Sequence, residues 1–326
     1  MDNTSYLQIE NLTKIYNNIP VLDNLNLRLN RFEKLGIIGL SGSGKSTLLK
    51  LIFGLLNKDG GQVYLENDKV KDRSEVLVPG DDRVKYVRQN YELFPDHTVF
   101  ENIEHHIRFH TKEYINKRIS KLLKAFDIEG IANVKSKLIS GGEQQRVAIC
   151  CSLAQSPKLL LLDEPMAHLD PINARQIKTY LWNFINKEKI TTIFVTHSSE
   201  DALAYASKIA VIHKGKIVEL GSPMDLYNTP KKKVTAQLLG LVGKVSGLFL
   251  EGLKDTKKYY FVRPEHVILV EKGIPFEVSE VKYLGVNYIL TLKKEKNILY
   301  VYSSIFMEAG EKVSVFVDAT KLISCT

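Results

Sequence analysis

Nine consecutive residues, Gly39-Leu40-Ser41-Gly42-Ser43-Gly44-Lys45-Ser46-Thr47, carry the clearest chemistry in this chain. They fit the phosphate-cradling pattern G-x-x-x-x-G-K-[S/T]. The glycines allow successive backbone N–H groups to turn inward on the α- and β-phosphates of a nucleotide. A helix starting at Ser46 adds the partial positive charge of its N-terminus. Lys45 is positioned to reach the β- and γ-phosphates, and the Ser46 hydroxyl to hold Mg²⁺. The pattern becomes a mechanism only between a strand and a helix. The apolar run within Lys34 to Ile38 supplies the strand, and Ser46 to Phe53, stopped by Gly54, supplies the helix.

A second group of chemistry-bearing residues follows another apolar run, Leu159-Leu160-Leu161-Leu162-Asp163-Glu164-Pro165. Four leucines predict a strand buried on both faces of a parallel sheet. Such a strand delivers two carboxylates to its C-terminal end, where α/β sheets place their ligands. Thr192 to Val195 predicts a similar strand, with His197 just beyond its end.

Helical stretches at Gln145 to Ala154, Ala174 to Asn186 and Glu200 to Tyr205 separate these strands, which implies β/α crossovers with helices on both sides of a sheet. Tyr6 to Leu12 and Gln62 to Leu65 alternate as antiparallel strands do. Between Val99 and Ala125, Ile103, Ile107, Ile115, Ile119, Leu122 and Leu123 recur at helical spacing. Ile209 to Ile212, Lys214-Gly215 and Lys216 to Leu220 read as a hairpin. Past Pro230 the pattern changes to short β-runs: Tyr259 to Val262, Val267 to Val270, Phe276 to Val281, Tyr288 to Leu292, Leu299 to Tyr302 and Val313 to Val317. The expected organisation is an α/β nucleotide-binding domain over residues 1–235 and a small all-β barrel over 236–326.

The composition, 44% apolar and 25% charged over 326 residues, excludes a fibrous or disordered chain. No apolar run approaches the roughly 18 residues needed to cross a bilayer. Met1 to Ser5 has neither a basic nor an apolar signal region, so the expectation is a cytosolic protein that meets a membrane only through a partner. Three cysteines agree with a reducing compartment. Cys150 and Cys151 are adjacent in a helical stretch and point to different faces, which argues for packing rather than metal or redox chemistry. The same argument removes His105-His106 as a metal pair and leaves them solvent-exposed. The net charge of +8 is spread out apart from Lys231-Lys232-Lys233, and no aromatic residues interleave with it, so no nucleic-acid partner is expected.

Ser140-Gly141-Gly142-Glu143-Gln144-Gln145-Arg146, placed shortly before the tetra-leucine strand, resembles the signature sequence of ATP-binding cassette (ABC) ATPases. The leucine strand resembles their Walker B segment. The resemblance covers about the first 235 residues, with its motifs in order. It implies an α/β P-loop cassette: a parallel core sheet, an antiparallel β subdomain and a helical subdomain, followed by a small all-β OB-like domain. It assigns Asp163 to Mg²⁺ through its hydration shell, and Glu164 to the attacking water as general base. Gln89, in Tyr86-Val87-Arg88-Gln89-Asn90, matches a glutamine that touches Mg²⁺ and the water. His197 matches a histidine that contacts the γ-phosphate, and Tyr16 an aromatic that stacks on adenine.

Family likeness also implies that Ser140, Gly141 and Gly142 serve a different nucleotide, the one held by the loop of a second cassette packed head to tail. Ala167-His168-Leu169-Asp170 resembles the segment crossing that interface, with Asp170 among the nucleotide-binding residues. Two positions depart from the family pattern. Ile139 replaces the usual leucine, and His168 replaces a smaller residue, a change that bears on interface packing.

Arg263-Pro264-Glu265-His266 looks like an element of importer ATPases that carry an OB-like regulatory extension and serve sulfate/molybdate, iron(III), polyamine or sugar systems. The implied function is the ATP-hydrolysing subunit of a solute importer, on the cytoplasmic side of the inner membrane. Its implied partners are a second ATPase subunit, membrane permeases and, indirectly, a solute-binding protein. Tyr91 to Asn102 would line the groove for a permease's coupling helix. An export ATPase and a soluble nucleic-acid-associated cassette are the alternatives. The β-rich extension argues against the first, and the lack of a second cassette or a long coiled coil against the second. The sequence does not identify the solute.

Overall fold

The computed structural model describes residues 5–78, 80–87, 93–166, 170–250 and 258–325. By its internal contacts the chain divides into two compact units, Met1–Ile217 and Val218–Thr326. In the first unit the strands are β1 (Leu7–Tyr16), β2 (Ile19–Leu29), β3 (Lys34–Gly39), β4 (Gly60–Leu65), β5 (Asp68–Lys69), β6 (Val84–Val87), β7 (Leu159–Asp163), β8 (Thr191–Val195) and β9 (Lys208–His213). The boundary between the units falls within β10 (Lys216–Gly221). The helices are α1 (Lys45–Phe53), α2 (Val99–His105), α3 (Lys112–Ala125), α4 (Gly141–Leu153), α5 (Pro171–Glu188) and α6 (Ser199–Tyr205).

Two sheets organise this unit. One has the order β10-β9-β3-β8-β7-β6, and its neighbours from β9 to β6 run parallel. All five residues of β7 and all five of β8 are buried, as strands covered on both faces must be. The order β3-β8-β7-β6 sets the C-terminal ends of four strands side by side, so the loops that follow them share one edge of the sheet. The other sheet, β2-β1-β4-β5, is antiparallel. Its β1–β2 hairpin turns through Asn17 and Asn18, at φ 49° and 62°. Asparagine tolerates two successive left-handed residues, which is what this tight hairpin turn needs. One apolar core joins the antiparallel sheet, α1 and one face of the parallel sheet, through residues such as Leu7, Leu29, Leu48 and Leu161. A second core joins α2 to α5 with the other face, through Ile119, Val147, Leu162 and Phe184.

The helical stretch expected over Val99 to Ala125 is two helices. Asn102 Nδ2 donates to the carbonyls of Phe94 (3.2 Å) and Thr98 (2.9 Å) at the start of α2, and Thr111 caps α3 by accepting from the Tyr114 amide. Ile107, in the connection, is buried like its helical neighbours, so the apolar spacing runs unbroken across the gap. Cys150 and Cys151 are both buried in α4.

The second unit contains α7 (Pro223–Asn228) and α8 (Lys233–Leu238), then β11 (Gly243–Ser246), β12 (Tyr259–Val262), β13 (Val267–Val270), β14 (Ile274–Tyr283), β15 (Tyr288–Lys294), β16 (Asn297–Ser303) and β17 (Lys312–Val317). The seven strands form one sheet in the order β12-β11-β16-β15-β14-β17-β13 around an apolar core that includes Val245, Leu290, Leu299 and Val315. Each of the six expected β-runs is a strand, and β11 is added at Gly243–Ser246.

Candidate functional site

The loop after β3 is shaped by backbone requirements before any side chain contributes. Gly42 (φ 76°) and Gly44 (φ 101°) occupy the left-handed region. At Gly44 an added Cβ would lie 2.7 Å from both the Leu22 side chain and the Val21 carbonyl, so the helix start abuts β2. Gly42 has open space where a Cβ would be, which leaves its amide side approachable. No side chain caps α1 at Gly44, and its first turn carries no acidic residue. The first amides of α1 therefore remain available to an anion. Ser43 Oγ is buried without a hydrogen-bond partner among the described residues, a further polar atom that suits a phosphate oxygen.

Lys45 is buried, and its Nζ donates to the carbonyls of Gly39 (2.9 Å) and Leu40 (3.1 Å). Burial lowers the pKa of its ammonium below the ordinary lysine value, while the charges of Glu164 and Asp163 oppose that shift. Ser46, the next residue of α1, donates its hydroxyl to Asp163 Oδ1 at 2.9 Å. That contact joins the loop after β3 to the end of β7, 117 residues away in sequence. Two hard oxygen donors side by side, with a phosphate cradle beside them, fit Mg²⁺, which favours one or two protein oxygens together with nucleotide phosphates and water.

Glu164 follows Asp163 in a left-handed conformation, φ 48°, uncommon for a residue with a side chain. Its amide donates to the Val195 carbonyl at 3.3 Å, tying the end of β7 to the end of β8. The turn directs its carboxylate to His197, whose Nδ1 lies 3.4 Å from Glu164 Oε2. His197 is exposed and Glu164 half-buried, so solvent screens this pair and its contribution to stability is small. Strain of this kind gathers where a side chain must be aimed.

Tyr16 ends β1 beside the asparagine turn and is 43% exposed. Lys14 Nζ lies 5.2 Å from the ring centroid and pairs with Asp59 Oδ2 at 3.0 Å. Asp59 also accepts from the Ile15 amide, so the backbone next to Tyr16 is fixed by a carboxylate. Ser41 is exposed, and Thr47 half-buried in α1.

Ser140 N-caps α4 in a capping box. Its hydroxyl accepts from the Glu143 amide at 3.4 Å, and Glu143 Oε2 accepts from the Ser140 amide (2.8 Å) and hydroxyl (2.7 Å). Those bonds hold the Glu143 pKa below the ordinary carboxylate value. Gly141 is open to solvent, whereas a Cβ on Gly142 would approach the Asn173 side chain to 3.1 Å. Asn173 lies in the first turn of α5, where the Asp170 cap accepts from the amides of Ile172 (3.1 Å) and Asn173 (3.0 Å). The signature segment and Asp170 thus meet through Asn173. The hydrogen bonds of Ser140 and Asp170 named here stay within their own helix starts.

Two side chains that the sequence reading treated only as flanking residues belong to the site's framework. The Tyr86 hydroxyl of β6 donates to Asp163 Oδ2 at 2.7 Å. Gln145 Nε2 of α4 donates to the Pro165 carbonyl at 2.6 Å, linking the signature helix to the chain just past Glu164. Neither could be singled out by motif, because a lone tyrosine or glutamine has no defining spacing. Gln89, Tyr91, Ala167, His168 and Leu169 lie outside the described residues. Among the described residues no cluster of three or more His, Cys, Asp or Glu could hold a metal by itself.

Comparisons with known proteins place the chain beside one family. The profile of the ABC transporter family matches residues 22–167. A spermidine/putrescine import ATP-binding protein of Clostridium novyi (strain NT) is 33% identical, over 95% of this chain and 94% of its own length. A glucose import ATP-binding protein of Saccharolobus solfataricus is 32% identical, over 96% of this chain and 97% of its own. Among solved structures, cbiO1 from Clostridium perfringens, described as part of an ABC transporter complex, aligns with TM-score 0.62 and 27% identity. That alignment covers 68% of this chain and 90% of cbiO1. The ADP conformation of MJ1267, an ATP-binding cassette of an ABC transporter, aligns with TM-score 0.63 and 25% identity, covering 72% of this chain and 98% of that one.

Proposed function

Because the chain belongs to the ABC transporter ATPases, we propose that it is the ATP-hydrolysing subunit of a solute importer, working with membrane permease components. The observation that carries the catalytic reading is the convergence of Lys45, Ser46, Asp163, Glu164 and His197 at the C-terminal ends of three adjacent strands, β3, β7 and β8. The importer reading draws on relatives whose names describe import ATP-binding proteins and whose match extends through the β-rich second unit.

In the proposed reaction Gly39 to Thr47 and Lys45 hold the phosphates, and Tyr16 stacks on adenine. Ser46 and Asp163, with Gln89, would hold Mg²⁺, which when bound neutralises phosphate charge. Glu164 accepts a proton from water as the water oxygen bonds to the γ-phosphorus. The bond from that phosphorus to the bridging oxygen breaks, releasing ADP and phosphate. His197 donates a hydrogen bond to the γ-phosphate oxygens. Ser140, Gly141, Gly142 and Asp170 act on the nucleotide of a second copy of the chain in a head-to-tail homodimer.

The working location is the cytoplasmic side of the inner membrane, held there by permease subunits that a solute-binding protein supplies with solute. Among the described residues no helix is long and apolar enough to cross a membrane. The catalytic portion is taken as residues 1–235 and the regulatory β domain as 236–326. Residues 218–235 belong by resemblance to the first but fold with the second, where the Arg263 guanidinium binds the Tyr227 and Ala236 carbonyls.

The test is Glu164→Gln, which keeps the size of the side chain but removes the base. ATP binding in the presence of Mg²⁺ should persist while hydrolysis falls at least ~100-fold. Turnover near that of the unmodified protein would overturn the role of Glu164.

A further inference from the structure

Asp163 is gripped from two sides. Ser46 of α1 donates to Oδ1 at 2.9 Å, and Tyr86 of β6 donates to Oδ2 at 2.7 Å. We propose that Tyr86 is a positioning residue of the nucleotide site, one that fixes the plane of the Asp163 carboxylate. The inference rests on the proposed assignment of Asp163 to the Mg²⁺ site.

The register explains why a tyrosine can do this. In the parallel β6–β7 pair, Tyr86 lies opposite Leu161, two residues before Asp163. Two residues of strand span roughly 6.6 Å, and residues two apart point to the same face. A phenol leaning along the strands covers that offset and sets its hydroxyl on the carboxylate. Tyr86 is half-buried, and its ring packs 5.8 Å from that of Phe53, at the end of α1. The helix that supplies Ser46 at its start therefore braces Tyr86 at its end.

A carboxylate offers about four lone-pair positions. Two hydrogen bonds from fixed donors, one on each oxygen, leave two positions and fix the plane in which they lie. The Ser46 hydroxyl donates its hydrogen bond to Asp163, which leaves its own oxygen lone pairs free to accept. Without the phenol O–H, Oδ2 loses its brace and the carboxylate can rotate about its last bond.

Tyr86→Phe tests this, since it removes one hydroxyl and keeps the ring against Phe53. With the full-length chain and a fluorescent ATP analogue, nucleotide binding is titrated against Mg²⁺, and again in EDTA. The Mg²⁺ concentration for half-maximal binding should rise about 10-fold in Tyr86→Phe, the size of loss typical when a residue supporting a metal ligand is removed. Affinity in EDTA should stay within about 2-fold, which also reports intact folding of the loop. Asp163→Asn separates the proposal from its premise. It should shift the Mg²⁺ dependence further, and adding Tyr86→Phe to it should change nothing more.

A shift in Asp163→Asn with none in Tyr86→Phe would overturn the role of Tyr86 alone. An unchanged Mg²⁺ dependence in Asp163→Asn would overturn the metal assignment, and the proposal with it. Additive effects in the double variant would show that the hydroxyl acts elsewhere.

Discussion

At the scale of residues, a few side chains and a few backbone angles divide the labour. Lys45 is drawn into the protein, where two loop carbonyls hold its amine beside the phosphate cradle. Removing that amine in Lys45→Ala deletes a charged donor that the phosphates would use. Hydrogen bonds to charged groups contribute about 1.5–3 kcal/mol, so nucleotide affinity should fall roughly 10- to 100-fold. An equilibrium nucleotide titration checks this, and unchanged affinity would count against the loop assignment. Motif spacing singles out Lys45, Ser46, Asp163 and Glu164 because each proposed chemistry demands a fixed residue at a fixed offset, and the structure brings the four side chains together. It could not disclose the left-handed turn at Glu164, because glutamate has no preference for that conformation. Nor could it reveal Tyr86, whose partner is 77 positions away.

At the scale of elements, apolar runs predicted β7 and β8 closely because strands covered on both faces leave no polar alternation to misread. The helical region beyond Val99 was less legible. Ile107 is buried whether or not its segment is helical, so its spacing conceals the break between α2 and α3. β14 begins before Pro275, a residue that discourages a strand reading from sequence.

The Arg-Pro-Glu element shows what a buried charge does for its neighbours. Arg263 is only 1% exposed, and its guanidinium donates to the carbonyls of Ala236 (2.9 Å), Tyr227 (3.1 Å) and Leu241 (3.4 Å). It also lies 4.1 Å from the centroid of the Tyr227 ring, and Tyr227 donates its hydroxyl to Glu265 at 2.8 Å. Desolvation lowers the Arg263 pKa, with Tyr227 and Glu265 opposing that shift. Arg263→Met would fill similar space yet strand these carbonyls, destabilising the second unit by about 3 kcal/mol. Differential scanning calorimetry should show one transition moved to lower temperature. An unaltered thermogram would mean that the carbonyls find other partners.

At the scale of the whole molecule, the site built on one chain is half of the proposed machine. The phosphate loop and its carboxylates cluster together, while the signature segment reaches Asn173 through Gly142, and Asn173 bonds to Asp170. A head-to-tail pair of chains would bring each group to the other's nucleotide, and the Ser140 cap already holds the start of α4 in shape. ATPase activity of the isolated chain should then rise more than linearly with protein concentration. The most direct measurement mixes two inactive variants, Lys45→Ala and Ser140→Arg. Each mixed dimer would carry both lesions in one composite site and neither in the other. Partial ATPase activity should therefore return on mixing, although each variant alone is inactive. A mixture as inactive as its components would contradict the shared-site account.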